Sequence, residues 1–128
     1  MSVTGSWDND DKQAVRFVFV GKWTWEEFSS AINTINPIAE KADYVVDGIF
    51  DFTNSAIIPD QALSNFRVLF KSRPANSGVL VAVTTLSLIE SLATVFGKIY
   101  AKLGEQFFVV NSIEAAHALL EERRRLRT

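Results

Sequence analysis

Asp47 and Asp51 are the residues whose type and spacing most directly suggest chemistry. They stand four apart in Tyr44–Phe52 (YVVDGIFDF), and side chains on a strand alternate between faces, so both carboxylates should project from the same one. A carboxylate pair of that kind can ligate Mg²⁺ or share a proton between an acid and a base. Asp51 also falls near the end of its strand, where open α/β sheets place their ligands. Capping the following loop is the simpler role for such an aspartate, and the sequence offers only Asp60 as a guess at a third ligand, so no metal or cofactor is expected. Thr53 and Ser55 follow at once. A phosphate on either would bring about −1.5 to −2 charges and three acceptor oxygens close to a helix N-terminus, although turn chemistry alone accounts for Thr53-Asn54-Ser55.

Other polar groups give less. Asp8-Asn9-Asp10-Asp11 lacks the glycine and distant glutamate of a calcium loop and reads as a solvated hairpin turn. Gly21-Lys22-Trp23-Thr24 lacks the spacing of a phosphate-binding loop. His117, the one histidine, lies between alanines with no nucleophile nearby and is expected toward solvent or the edge of the helix's apolar stripe. Arg123, Arg124, Arg125 and Arg127 suit the negative end of a helix dipole and read as a solvated helix end. Trp7, Trp23 and Trp25 belong to a core or, if exposed, to a self-association face.

The elements that must carry these residues are legible from periodicity. Val3–Trp7 and Gln13–Val20 predict a hairpin, with Val15, Phe17 and Phe19 on one face. Thr24 and Glu27 form a capping box, with Trp23 and Phe28 as its hydrophobic staple. The helix stripe Trp25, Phe28, Ile32, Ile35 follows, and Asn36-Pro37 should end or kink it. After the strand at Tyr44–Phe52 come a helix over about Pro59–Lys71, a buried strand at Val79–Val83, a helix from Ser87 toward Gly104, a strand at Gln106–Val110 and a last helix capped by Ser112. The order β-β-α-β-α-β-α-β-α implies an α/β domain: one mixed, mostly parallel sheet with helices.

Composition agrees with a single domain of 128 residues, 48% hydrophobic and 22% charged. A net charge of −2 argues against nucleic acid or an anionic membrane surface as partner. The absence of cysteine excludes disulfides and thiol chemistry and fits the cytoplasm. The apolar run Ala14–Val20 carries Arg16 and is too short for a signal core or a membrane span.

This order, with the strand Tyr44–Phe52, the loop Thr53–Ile58, the strand Val79–Val83 and the closing Phe107–Ala116 (FFVVNSIEAA), resembles the STAS family of sulfate-transporter and anti-sigma-factor-antagonist domains. The resemblance implies a non-enzymatic regulatory domain that binds a protein partner, such as a kinase-like regulator, or itself as a homodimer. It also implies a serine or threonine after a central strand whose phosphorylation switches binding off. Thr53 and Ser55 fall in that loop, with Asp51 and Asn54 as its ligand-facing neighbours, although Asp51-Phe52-Thr53-Asn54-Ser55-Ala56 lacks the family's aspartate, hydroxyl residue, small residue, glycine order. Two further readings stand beside it: a small-molecule or lipid-binding module with a pocket near Phe50, Phe52 and Phe66, and an enzyme using Asp47 and Asp51.

Overall fold

The computed structural model describes residues 2–55, 57–71, 73–85, 91, 93–95, 97–98 and 107–127. Five strands, β1 (Ser2–Trp7), β2 (Ala14–Val20), β3 (Val46–Asn54), β4 (Ser77–Val83) and β5 (Phe107–Val110), form one sheet in the order β1-β2-β3-β4-β5. β1 and β2 are antiparallel, and every other neighbouring pair is parallel. The helices are α1 (Trp25–Glu40), α2 (Ala62–Lys71) and α3 (Ile113–Arg127). Residues 91, 93–95, 97 and 98, between β4 and β5, are helical too, whereas the ends of the helix expected from Ser87 to Gly104 lie outside the described residues. The fold is thus the α/β arrangement with one mixed, mostly parallel sheet that the periodicity implies.

Local chemistry explains where α1 starts. Thr24 Oγ1 accepts from Glu27 N at 3.1 Å, and Glu27 Oε1 accepts from Thr24 N at 2.9 Å, satisfying two amides that the first turn would otherwise leave open. The Trp23 and Phe28 rings meet with centroids 6.0 Å apart, completing the staple. Pro37 does not end the helix: α1 continues to Glu40, and Pro37 opens its last turn. Ile35 and Ala39 on either side of Pro37 are both buried, so packing carries the helix across a residue that donates no hydrogen bond. At the other extreme, α2 begins at Ala62 rather than Pro59, because Gln61 has φ 64 and cannot belong to a right-handed helix.

The two faces of the sheet hold different cores. Face one meets α1 and α2 through Val15, Phe17, Phe19, Phe50 and Phe52 from the strands and Phe28, Ile32 and Phe66 from the helices. Face two presents Ala14, Ile49, Val79, Val81 and Val83 to Ala116 and Leu120 of α3. β3 is buried on both sides, and its two aspartates share face two with Ile49 by strand alternation. Among the described residues no helix is long and apolar enough to cross a membrane.

Candidate functional site

β3 ends at Asn54, so Thr53 belongs to the strand itself and only Ser55 opens the loop. Asp51, 2% exposed, organises this end. Its Oδ1 accepts from Thr53 N at 3.0 Å and from Thr53 Oγ1 at 2.5 Å, and its Oδ2 accepts from Arg16 Nε at 3.1 Å and also from Nη2. Burial alone would raise the Asp51 pKa. The bonds from Thr53 and Arg16 outweigh that effect and hold it below the ordinary 3.8, so the carboxylate is ionised at neutral pH.

Thr53 and Ser55 have opposite environments. Thr53 is exposed at the end of the central strand with its hydroxyl fixed by Asp51. Ser55 is 4% exposed, and its Oγ donates to Gly21 O at 2.8 Å. Asn54 is exposed, and its carbonyl accepts from Gly21 N at 2.9 Å. Gly21 adopts φ 61, a conformation open to glycine without a Cβ penalty, which lets the chain turn from β2 toward α1 while meeting Asn54 and Ser55.

Two tryptophans hold the rest of the loop. Trp23 Nε1 donates to Ile57 O at 3.1 Å, and Trp25 Nε1 donates to Asp60 O at 2.8 Å. The indole bodies pack in the aromatic core, so their N–H groups act as fixed posts. These tryptophans are therefore scaffold for the loop. Their role was invisible in sequence, since an indole donor's partner lies about 35 residues away.

Asp47 belongs to a separate cluster. It is 1% exposed; Oδ1 accepts from Val79 N at 2.8 Å and from Arg127 Nη2 at 2.5 Å, and Oδ2 lies 3.3 Å from Arg127 Nη1 and 3.4 Å from Arg124 Nε. The two aspartates do share a face, yet each is committed to its own arginines. Arg124 and Arg127, expected to be solvated, turn inward to pin α3 to the sheet, while Arg123 lies over the Phe108 ring at 4.6 Å. Asp47→Ala should lower the unfolding free energy by about 3 kcal/mol, because it strands the buried Val79 amide and two guanidinium groups. Urea denaturation would read this, and a midpoint unchanged from wild type would show that the clamp contributes nothing.

The hairpin turn also departs from expectation. The Asp8 side chain is 2% exposed, with Oδ2 2.9 Å from His117 Nε2 and Oδ1 3.8 Å from Arg16 Nη1. His117 thus faces the turn that precedes β2, and Asp8 Oδ1 has no hydrogen-bond partner among the described residues. Arg16 stands between Asp8 and Asp51 as their shared cation. The available signal was a single arginine within the apolar strand AVRFVFV, which requires a buried anion nearby. Phe50, Phe52 and Phe66 pack among other aromatic rings, and Phe50 borders a cavity toward the other end of β3. Among the described residues no three His, Cys, Asp or Glu side chains gather where they would hold a metal ion.

No family model, curated protein or solved structure matches the chain. Its class is defined by the fold alone: an α/β domain with one five-stranded mixed sheet and helices on both faces.

Proposed function

We propose that the chain is a non-enzymatic, STAS-like regulatory domain of the cytoplasm that binds a protein partner at the C-terminal end of β3, with Thr53 as its phosphorylation switch. The observation that carries this reading is Thr53, an exposed residue at the C-terminal end of β3, its hydroxyl held by the buried, ionised Asp51. Two aliphatic side chains support a docking surface around it: Val20, 38% exposed and paired in register with Asn54, and Ile57, 37% exposed. A phosphate on Thr53 would place a dianion against Asp51, break the hydroxyl bond and add a charged, hydrated group between those aliphatic contacts. Ser55 is the poorer acceptor, because it is buried where a kinase could not reach it, whereas Thr53 is exposed.

The test is affinity purification of tagged wild type, Thr53→Ala and Thr53→Asp from the native host, with quantitative mass spectrometry of the co-eluting proteins. Wild type and Thr53→Ala should retain a stoichiometric partner, and Thr53→Asp should retain about ten-fold less. Equal recovery with Thr53→Asp would sink the switch. Recovery of the tagged chain alone would sink the protein partner.

A further inference from the structure

A strand at the edge of a sheet keeps bonding capacity on its outer side, and β1 is one edge of this sheet. Asp8 N donates to Ala14 O at 2.8 Å, continuing the ladder that pairs Trp7 with Val15 and Ser6 with Arg16. Bonded and non-bonded pairs alternate along an antiparallel ladder. Ser2, Thr4 and Ser6 therefore exchange their bonds with β2, whereas the N–H and C=O groups of Val3, Gly5 and Trp7 point away from it. These outward groups have no hydrogen-bond partner among the described residues. A Cβ added to Gly5 would point to face one and meet Phe17 Cε1 at 3.0 Å and Ala31 O at 3.3 Å, so α1 lies above β1 and not beyond its edge.

Natural edges are kept single by lysines, prolines, bulges or very short strands. β5, at the other edge, has only four residues. β1 has six, none charged and none proline, and its register with β2 runs unbroken from Ser2 to Trp7.

We propose that β1 pairs antiparallel with β1 of a second copy of this chain, joining the two sheets into one about a two-fold axis through Gly5. The strand is complementary to itself about that point. Gly5 meets Gly5 of the second copy and Val3 meets Trp7, so every outward amide of one strand reaches an outward carbonyl of the other. On face two the exposed Thr4 meets the exposed Ser6, a pair of hydroxyls able to hydrogen-bond across the junction. On face one the half-buried Trp7 lies against Val3 of the second copy, at the margin of the core. Because β1 carries no charge, the two-fold sets no like charges of the two strands against each other. Thr53 lies on β3, beyond β2 from this edge, so the dimer does not depend on the switch.

Sedimentation equilibrium of the full chain from about 1 μM to about 1 mM should show monomer passing to dimer. Amide exchange measured by nuclear magnetic resonance over the same range identifies the surface. Protection of the Val3, Gly5 and Trp7 amides should rise about ten-fold or more with concentration, while that of Thr4 and Ser6, already bonded to β2, should hold constant. Thr4→Lys with Ser6→Lys sets lysine against lysine at the cross-strand positions and should weaken the dimer by about ten-fold or more, and Thr4→Lys with Ser6→Glu sets opposite charges there and should restore it. A chain that stays monomeric throughout would overturn the proposal. So would a dimer in which the Gly5 amide exchanges as fast as in the monomer, or one that both charge combinations weaken equally. The exchange rates of the unsubstituted chain decide the matter even if a doubly substituted chain fails to fold.

Discussion

Arg16→Met should destabilise the protein by about 3–5 kcal/mol at neutral pH, because it leaves the buried Asp8 and Asp51 carboxylates without their shared cation. Methionine replaces much of the packing volume of the arginine stem, so the loss reports the charge. The effect should depend on pH in a definite direction. Asp51 has a folded pKa below its ordinary 3.8, so its stabilising contribution is present above that value and disappears as pH falls through the lower folded value. In the variant, burial is no longer offset by the guanidinium, and protonating Asp51 relieves the cost. The difference between wild type and Arg16→Met should therefore narrow below about pH 4. Urea unfolding from pH 7 down to pH 3 would measure both curves; a constant gap, or one below about 1 kcal/mol at pH 7, would mean that Arg16 does not serve as that cation.

Phe50→Ala should cost about 3–5 kcal/mol as well, by a different route. Phe50 is 3% exposed and its ring lies 5.3–5.7 Å, centroid to centroid, from those of Phe28, Phe17 and Phe70. Truncation would remove those contacts and open new space beside the existing cavity, where the rigid strands on either side prevent collapse. The melting temperature should drop by more than about 10 °C. Because this residue is uncharged, its loss should be the same across the pH range in which the Arg16 variant changes. A drop of only a few degrees would indicate that the aromatic cluster repacks, contrary to a well-fitted core.

Features set by neighbouring residues were legible in the sequence. The capping box at Thr24, the turn between β1 and β2, the Ser112 cap and the common face of Asp47 and Asp51 each rest on a spacing of a few residues, and the structure has all of them. Features set by distant partners were not. β3 was placed from Tyr44, but Tyr44 and Val45 are exposed, and the strand runs on to Asn54 because Val20 and Gly21 pair with it there. At the site, Arg16 lies 35 residues from Asp51 and Arg127 lies 80 from Asp47. Three arginines in a row read alike whether they face water or a buried carboxylate, and only the docking of α3 decides. Thr53 and Ser55 were equivalent as hydroxyls, and the turn at Gly21 is what buries one and leaves the other accessible.

The sheet's order has a consequence for how the chain is made. Strand order equals chain order, so each strand emerging from the ribosome finds its neighbour already synthesised, and the core of face one is completed only when Phe107 and Val109 of β5 join it. Asp47 waits 80 residues for Arg127, about 4–16 s at usual elongation rates. Through that interval its carboxylate lacks the guanidinium that pairs with it in the folded domain. Docking of α3 is what covers the second core and seals its charged seam, and the residues that do so are the last of this sheet's partners to be synthesised.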